Sequence, residues 1–318
     1  MIKLSFVIPC YRSENTVINV VEEIETTLKL RPEYDYEIIL VNDCSPDNVW
    51  EVITKRVSVD DKVIGICLAK NFGQHSALMA GYNNVSGDLV ISLDDDGQTP
   101  VSDVFKLIDE LDNGKYDIVY ATYPESHRSL FRRLGSSFTR KVTDYLFDIP
   151  SNKKEASSFY VAKRFIIEEI IKYKNAFPFL SGLVLRTSRN YGFVTLERRE
   201  RLSGKSGYSL RKLIGVWLNG LTSFSVKPLK FGTQFGFIFA FLGFVFAVYT
   251  IIRKLFINPE IQAGWSSTIS VIMITGGVIM MMLGLIGEYI GRIYICINSS
   301  PQYVIKEIVN NKKSSDEG

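Results

Sequence analysis

The chain has 318 residues, 37 basic and 34 acidic side chains for a net charge of +3, and 46% hydrophobic content. That composition excludes a disordered or low-complexity protein and provides no global basic field for nucleic acid, so anion binding must come from local clusters. Four cysteines, Cys10, Cys44, Cys67 and Cys296, lie far apart with no C-x-x-C, which excludes a disulfide framework or zinc site and reads as reduced thiols.

Up to Thr122 the chain alternates strand-like and helix-like segments, the pattern of a parallel sheet covered by helices. "LSFVIP" predicts a strand, "ENTVINVVEEIETTLK" a helix, "YEIILVND" a strand and "VWEVITKRV" a helix. "KVIGICLA" predicts a third strand, "HSALMAGYNNV" a helix, "DLVISLDD" a fourth strand, "VSDVFKLIDELDNG" a helix and "YDIVYAT" a fifth strand. The opening apolar run is broken by Pro9 and lacks the longer core of a signal peptide, so this part is expected in the cytosol. In such sheets ligands sit beyond the carboxyl ends of strands, where Asp43 and Asp94 to Asp96 fall.

Beyond Thr122 come two basic clusters. The first holds Arg128, Arg132, Arg133, Arg140 and Lys141, and the second is "LERRERLSGKSGYSLRKLIGVWL". The end of the second spaces Leu210, Leu213, Ile214, Trp217, Leu218 and Leu221 on one helical face, as expected for an amphipathic helix at a bilayer surface. Phe231 to Ile252 then runs 22 residues without a charge, and Thr268 to Gly287 another 20. Each suffices for ~30 Å of hydrocarbon, so two membrane-spanning helices are expected. Lys227, Lys230, Arg292 and Lys306 flank the pair and favour the cytosolic side for both ends, against Arg253 and Lys254 in the connecting loop. The tail "NNKKSSDEG" is expected to be disordered.

"SLDDDGQTP" places three aspartates at the end of an apolar strand. If the strand continued, Asp94 and Asp96 would share one face and Asp95 the other. Two carboxylates with the Gln98 amide oxygen offer the oxygen ligands that Mg²⁺ or Mn²⁺ prefers, usually completed by substrate phosphates. A bound cation would also relieve repulsion among the carboxylates. "DDDGQT" also resembles the nucleophile loop of haloacid-dehalogenase-type phosphatases. That loop normally follows the first strand, whereas this one follows at least three.

Taken in order, six segments resemble family 2 glycosyltransferases of the GT-A fold, in particular polyprenyl-phosphate sugar transferases related to dolichol-phosphate mannose synthase. They are "SFVIPCYRSENTV", "ILVNDCSPD", "KNFGQHSALMAGY", "SLDDDGQTP", "RLSGKSGYSLRKL" and "LIGEYIGRIY". The resemblance implies a Rossmann-like, mostly parallel α/β sheet with helices on both faces over residues 1–204, and an interfacial helix region over 205–230. Two transmembrane helices would follow within 231–290, at about 231–252 and 268–287, and then a cytosolic tail over 291–318.

It further implies that Pro9, Tyr11, Glu14, Asp43, Lys70, Asp94 and Asp95 line the nucleotide site, Asp43 bonding the base. Asp96 and Gln98 would hold Mg²⁺ or Mn²⁺. Asp95 stands where the family often has alanine and is expected to be replaceable. Arg128, Arg132, Arg133, Ser136, Arg198, Arg201 and Lys205 are candidates for the acceptor phosphate, with Arg133 and Arg201 joining Asp94 and Asp96 as catalytic residues. The implied reaction is inverting transfer from a nucleotide sugar, expected to be a UDP-sugar, to undecaprenyl phosphate at the cytosolic face of the inner or plasma membrane, for cell-envelope glycan or lipid modification. An isoprenoid phosphate is already ionised at pH 7, so it needs arginines rather than a histidine base, which leaves His75 and His127 peripheral.

The family pattern is broken at "EASSFYVAKR", where Glu155 and Tyr160 replace the usual Asp and Phe, and at "YICINSSPQY". Two alternatives stay open: a membrane-bound transferase extending a glycan, although the Q-x-x-R-W segment of processive synthases is absent from the sequence, and a non-catalytic nucleotide-binding membrane adaptor. Homo-oligomers packed through Gly276, Gly277 and Gly284 are a further expectation.

Overall fold

The computed structural model describes residues 1–124, 157–197, 199, 265–298 and 300–310, with scattered positions between 229 and 252. Two compact units emerge, one carrying the sheet and the C-terminal strand, the other the long apolar helix.

In the first unit β1 (Ile2–Cys10), β2 (Tyr34–Asn42), β3 (Val63–Leu68), β4 (Leu89–Ser92) and β5 (Ile118–Thr122) occur where the sequence predicts them. Between them lie α1 (Val17–Leu28), α2 (Val49–Val59), α3 (Gln74–Tyr82) and α4 (Val104–Asn113). β1 is buried from Leu4 to Cys10, as expected of a strand covered on both faces. α1 buries Val17, Val20, Val21, Ile24 and Leu28, and α4 buries Val104, Phe105, Leu107, Ile108 and Leu111, one apolar stripe each. α3 is buried from Ser76 through Tyr82 and lies close against the sheet at Gly81, where a Cβ would meet Val7 Cγ1 at 2.3 Å.

Three further strands complete a mixed sheet in the order β7-β5-β6-β4-β1-β2-β3-β8. β6 (Tyr160–Lys163) inserts antiparallel between β4 and β5, and β7 (Tyr191–Thr195) adds parallel to β5. β8 (Ile305–Asn310) pairs antiparallel with β3. The short helices α5 (Arg164–Ile170) and α6 (Leu180–Thr187) lie in sequence between β6 and β7. A tail beginning at 291 is therefore not what the structure shows: helix runs to Ile297, and 305–310 form an edge strand of the sheet.

In the second unit α7 (Trp265–Ile297) spans 33 residues and covers all of the second expected span. Its stretch Ile274–Ile297 has mean hydropathy 1.6, is not buried, and is the one helix among the described residues long and apolar enough to cross a membrane. The described positions of the first expected span, 231–252, are helical. The expected interfacial helix and the basic segment from Arg128 to Lys141 lie outside the described residues.

Candidate active site

β1 lies between β2 and β4, so the chain runs outward through β2 and β3 before returning to the other side of β1. That is a topological switch point, the place where the crevice of an open α/β sheet takes its ligands. β4 pairs with β1 only as far as Val7↔Ser92, so Pro9, which has no N–H to give, sits beyond that ladder opposite Val41 of β2.

Side chains close the loops around this crevice. The Tyr11 N–H donates to an Asp95 carboxylate oxygen at 2.9 Å, and the Thr16 hydroxyl donates to the Asp95 carbonyl at 2.7 Å. Arg12 has φ 58° and Cys44 φ 49°, left-handed conformations that side chains rarely adopt, and the Ser45 hydroxyl accepts the Arg12 N–H at 2.8 Å. The Glu14 carboxylate accepts the Asn48 N–H at 3.0 Å, while its own N–H donates to Asp47 at 3.0 Å. Asp43 is 3% exposed and its two carboxylate oxygens accept the N–H groups of Phe72 (2.7 Å) and Gly73 (2.8 Å), the latter at φ 89°. Burial raises its pKa against those two bonds. The residue expected to bond a base is thus also the brace of the loop between β3 and α3. Lys70 in that loop is exposed, with its ammonium 4.9 Å from the Phe72 ring centroid.

The three aspartates do not follow strand alternation, because β4 ends at Ser92 and the chain turns. The Asp94 carboxylate accepts from Gln74 Nε2 at 2.9 Å and from the Ser158 hydroxyl. Asp95 turns inward to Tyr11. Its pKa is raised to about 6, by burial first and by the neighbouring Asp94 charge, against the hydrogen bond from the Tyr11 N–H. Asp96 Oδ1 accepts the Gln98 N–H at 3.0 Å across a tight turn in which Gly97 takes φ 72°. The expectation of a replaceable Asp95 does not follow from this geometry. Gln74 and Ser158, which orient Asp94, escaped the sequence reading, since neither side chain is charged.

No group of three His, Cys, Asp or Glu side chains converges as a metal cage among the described residues. The turn offers two carboxylates and an amide instead, an oxygen set that suits a hard divalent ion whose remaining positions are filled by substrate. His75 packs edge-on to Phe179 at 5.7 Å between ring centroids, and burial lowers its pKa. Tyr160 is buried, with its hydroxyl against that of Tyr82 and its pKa pushed up to about 12 by burial.

Of the second basic cluster Arg199 is described. Its guanidinium pairs with Glu23 at 2.8 Å and donates to the Ser102 hydroxyl at 3.1 Å, and its backbone N–H donates to the Gln98 carbonyl at 3.3 Å. The chain therefore lies alongside the Asp96–Gln98 turn at Arg199. Arg198 and Arg201, with Arg128, Arg132, Arg133, Ser136 and Lys205, lie outside the described residues.

Residues 5–171 match the family model described as Glycosyl transferase family 2, and residues 227–293 match one described as GtrB C-terminal hairpin. The undecaprenyl-phosphate 4-deoxy-4-formamido-L-arabinose transferases of Yersinia enterocolitica and Yersinia pestis are each 32% identical over 319 residues, covering 99% of this chain and 96% of theirs. The fold is similar to glucosyl-3-phosphoglycerate synthase from Mycobacterium tuberculosis in complex with Mn²⁺ and UDP-glucose, with TM-score 0.52, 20% identity, and 70% of this chain and 77% of that one covered. With a family match over more than half its length and relatives alignable almost end to end, the chain belongs to glycosyl transferase family 2.

Proposed function

We propose that this enzyme transfers a sugar, with inversion, from a nucleotide sugar to a polyprenyl phosphate at the cytosolic face of the membrane. The observation that carries the reading is the Asp94–Gln98 segment at the switch point, tied to the loop after β1 by Asp95 and flanked by the start of a basic segment through the Arg199 N–H. The named activity of the Yersinia relatives supports a polyprenyl phosphate acceptor, and α7 with the expected span at 231–252 supports a two-helix membrane anchor. A donor carrying UDP accords with the M. tuberculosis enzyme of similar fold, solved with UDP-glucose.

In this reading residues 1–204 together with β8 form the catalytic unit, 205–230 the interface helix and 231–290 the membrane pair. The nucleoside lies between the loops after β1 and β2, against Pro9, Tyr11, Glu14 and Asp43, with Lys70 at the far side. Asp96 and Gln98 hold Mg²⁺ or Mn²⁺, which when bound supplies positive charge against the leaving diphosphate. Gln74 and Ser158 fix Asp94 toward the donor. The acceptor phosphate oxygen attacks the anomeric carbon from the face opposite the diphosphate, and the bond to the diphosphate oxygen breaks with its electron pair. Arg133 and Arg201 steady the incoming phosphate against its anionic surroundings. Because the nucleophile is already an anion no base is needed, which agrees with a His75 packed against Phe179.

The test is purified full chain with labelled UDP-sugars, undecaprenyl phosphate and Mg²⁺ or Mn²⁺, scored for label in the lipid phase. Transfer that is lost with EDTA is the expected result. Failure of every donor to label the lipid with either metal defeats the reading.

A further inference from the structure

Gln302 and Val304, just ahead of β8, grip the elements around α3. Gln302 is 7% exposed, and its Nε2 donates to the carbonyls of Tyr173 (3.3 Å) and Asn175 (3.0 Å), so both amide protons are used. The Val304 carbonyl accepts the Ala69 N–H at 2.9 Å, and β8 then runs along β3 from Leu68↔Ile305 to Ile64↔Asn310.

Each gripped element leads to a residue of the site. Ala69 opens the loop whose Phe72 and Gly73 amides hold Asp43 and whose Asn71 side chain donates to the Asp43 carbonyl at 3.1 Å. The stretch containing Tyr173 and Asn175 continues to Phe179, whose ring meets His75, and the adjacent Gln74 donates to Asp94. Gln302 touches none of the reacting groups, yet it fixes one flank of the α3 N-terminus while Val304 fixes the other.

We infer that Gln302–Val304 is a positioning clasp for the donor site, with Gln302 its principal residue. The inference rests on the donor-site reading above and deepens it by assigning the C-terminal segment a part in nucleotide binding. Without the clasp the loops holding Asp43 and Asp94 remain attached to the sheet but lose their register with one another, which weakens donor binding more than turnover.

The experiment compares wild type with Gln302→Glu, a variant of equal size that sets an oxygen against two carbonyl oxygens, using the full chain in detergent. Binding of UDP with Mn²⁺ is measured by calorimetry, steady-state constants by lipid labelling, and amide hydrogen exchange over residues 69–73 and 173–179. Losing two buried bonds predicts about five- to twentyfold weaker UDP binding and a matching rise in donor KM, with kcat and acceptor KM within about twofold and faster exchange in both stretches. Gln302→Met, uncharged and of similar volume, carries the same expectation should the Glu variant not fold. UDP binding and donor KM within about twofold of wild type, or kcat and both KM values falling together, overturns the clasp. A wild-type chain that binds no UDP overturns the donor-site reading itself, and the clasp with it.

Discussion

The Asp95 carboxylate accepts the Tyr11 N–H at 2.9 Å, so the loop after β4 holds the loop after β1 in place. Removing the carboxylate takes away a bond to a charged group, worth about 1.5–3 kcal/mol. Asp95→Ala is therefore expected to lower kcat/KM roughly tenfold or more and to lower Tm, while Asp95→Asn, which keeps an acceptor oxygen, stays within a few fold. Steady-state kinetics beside thermal denaturation check this, and equal behaviour of the two variants would remove the proposed role.

Asp94 is oriented by two donors, Gln74 and Ser158. A bond to a charged group is worth about 1.5–3 kcal/mol, so Ser158→Ala should raise donor KM by about tenfold or more. Fold and melting temperature should change little, since Ser158 is partly exposed. Donor titrations of wild type and variant measure the effect.

Asp96 is the carboxylate assigned to the divalent ion. Asp96→Asn is expected to abolish transfer while leaving the far-UV circular dichroism spectrum intact. Titrating Mn²⁺ should fail to restore the variant but fully restore EDTA-treated wild type. Near-normal turnover in Asp96→Asn would reassign the metal to another side chain.

At the opposite end of β1 and β2, Glu37 is 6% exposed and accepts from Lys3, Ser5 and Ser86. Burial opposes its ionisation, but these bonds prevail and hold its pKa below the usual 4.5. With the folded pKa depressed, the stabilisation is full above the unfolded value and is lost as pH falls below 4.5 toward the folded pKa. Glu37→Gln is expected to cost about 1–3 kcal/mol at neutral pH, with the gap to wild type closing in acid. Thermal denaturation of both proteins from pH 7 to pH 3 follows it.

The first nine elements were legible because most carry a clear apolar pattern: the apolar run of "LSFVIP", and Val17, Val21, Ile24 and Leu28 on one face of α1. β6 and β8 were not. "YVAK" is only four residues and its partners β4 and β5 are distant in sequence, while "IKEIVN" is half polar because it lies at an edge with one face toward solvent. The aspartates stand out in the sequence, but their directions do not, since alternation applies to a strand and Asp94 to Asp96 lie beyond the end of β4. Asp95 is also buried by loops that no local pattern announces. Gln74, Ser158 and Gln302 are neutral residues whose parts depend on long-range contacts, so only the assembled fold brings them forward.

In the proposed reaction a lipid phosphate oxygen takes the sugar alone and the nucleoside diphosphate departs whole. Mass spectrometry of the lipid product, with chromatography of the released nucleotide, tests it most directly. The expected product is a polyprenyl phosphate heavier by one dehydrated sugar, with a nucleoside diphosphate released in equal amount. A lipid carrying sugar through a diphosphate with release of a nucleoside monophosphate, or a sugar found on a glycan with the lipid phosphate unchanged, would contradict it.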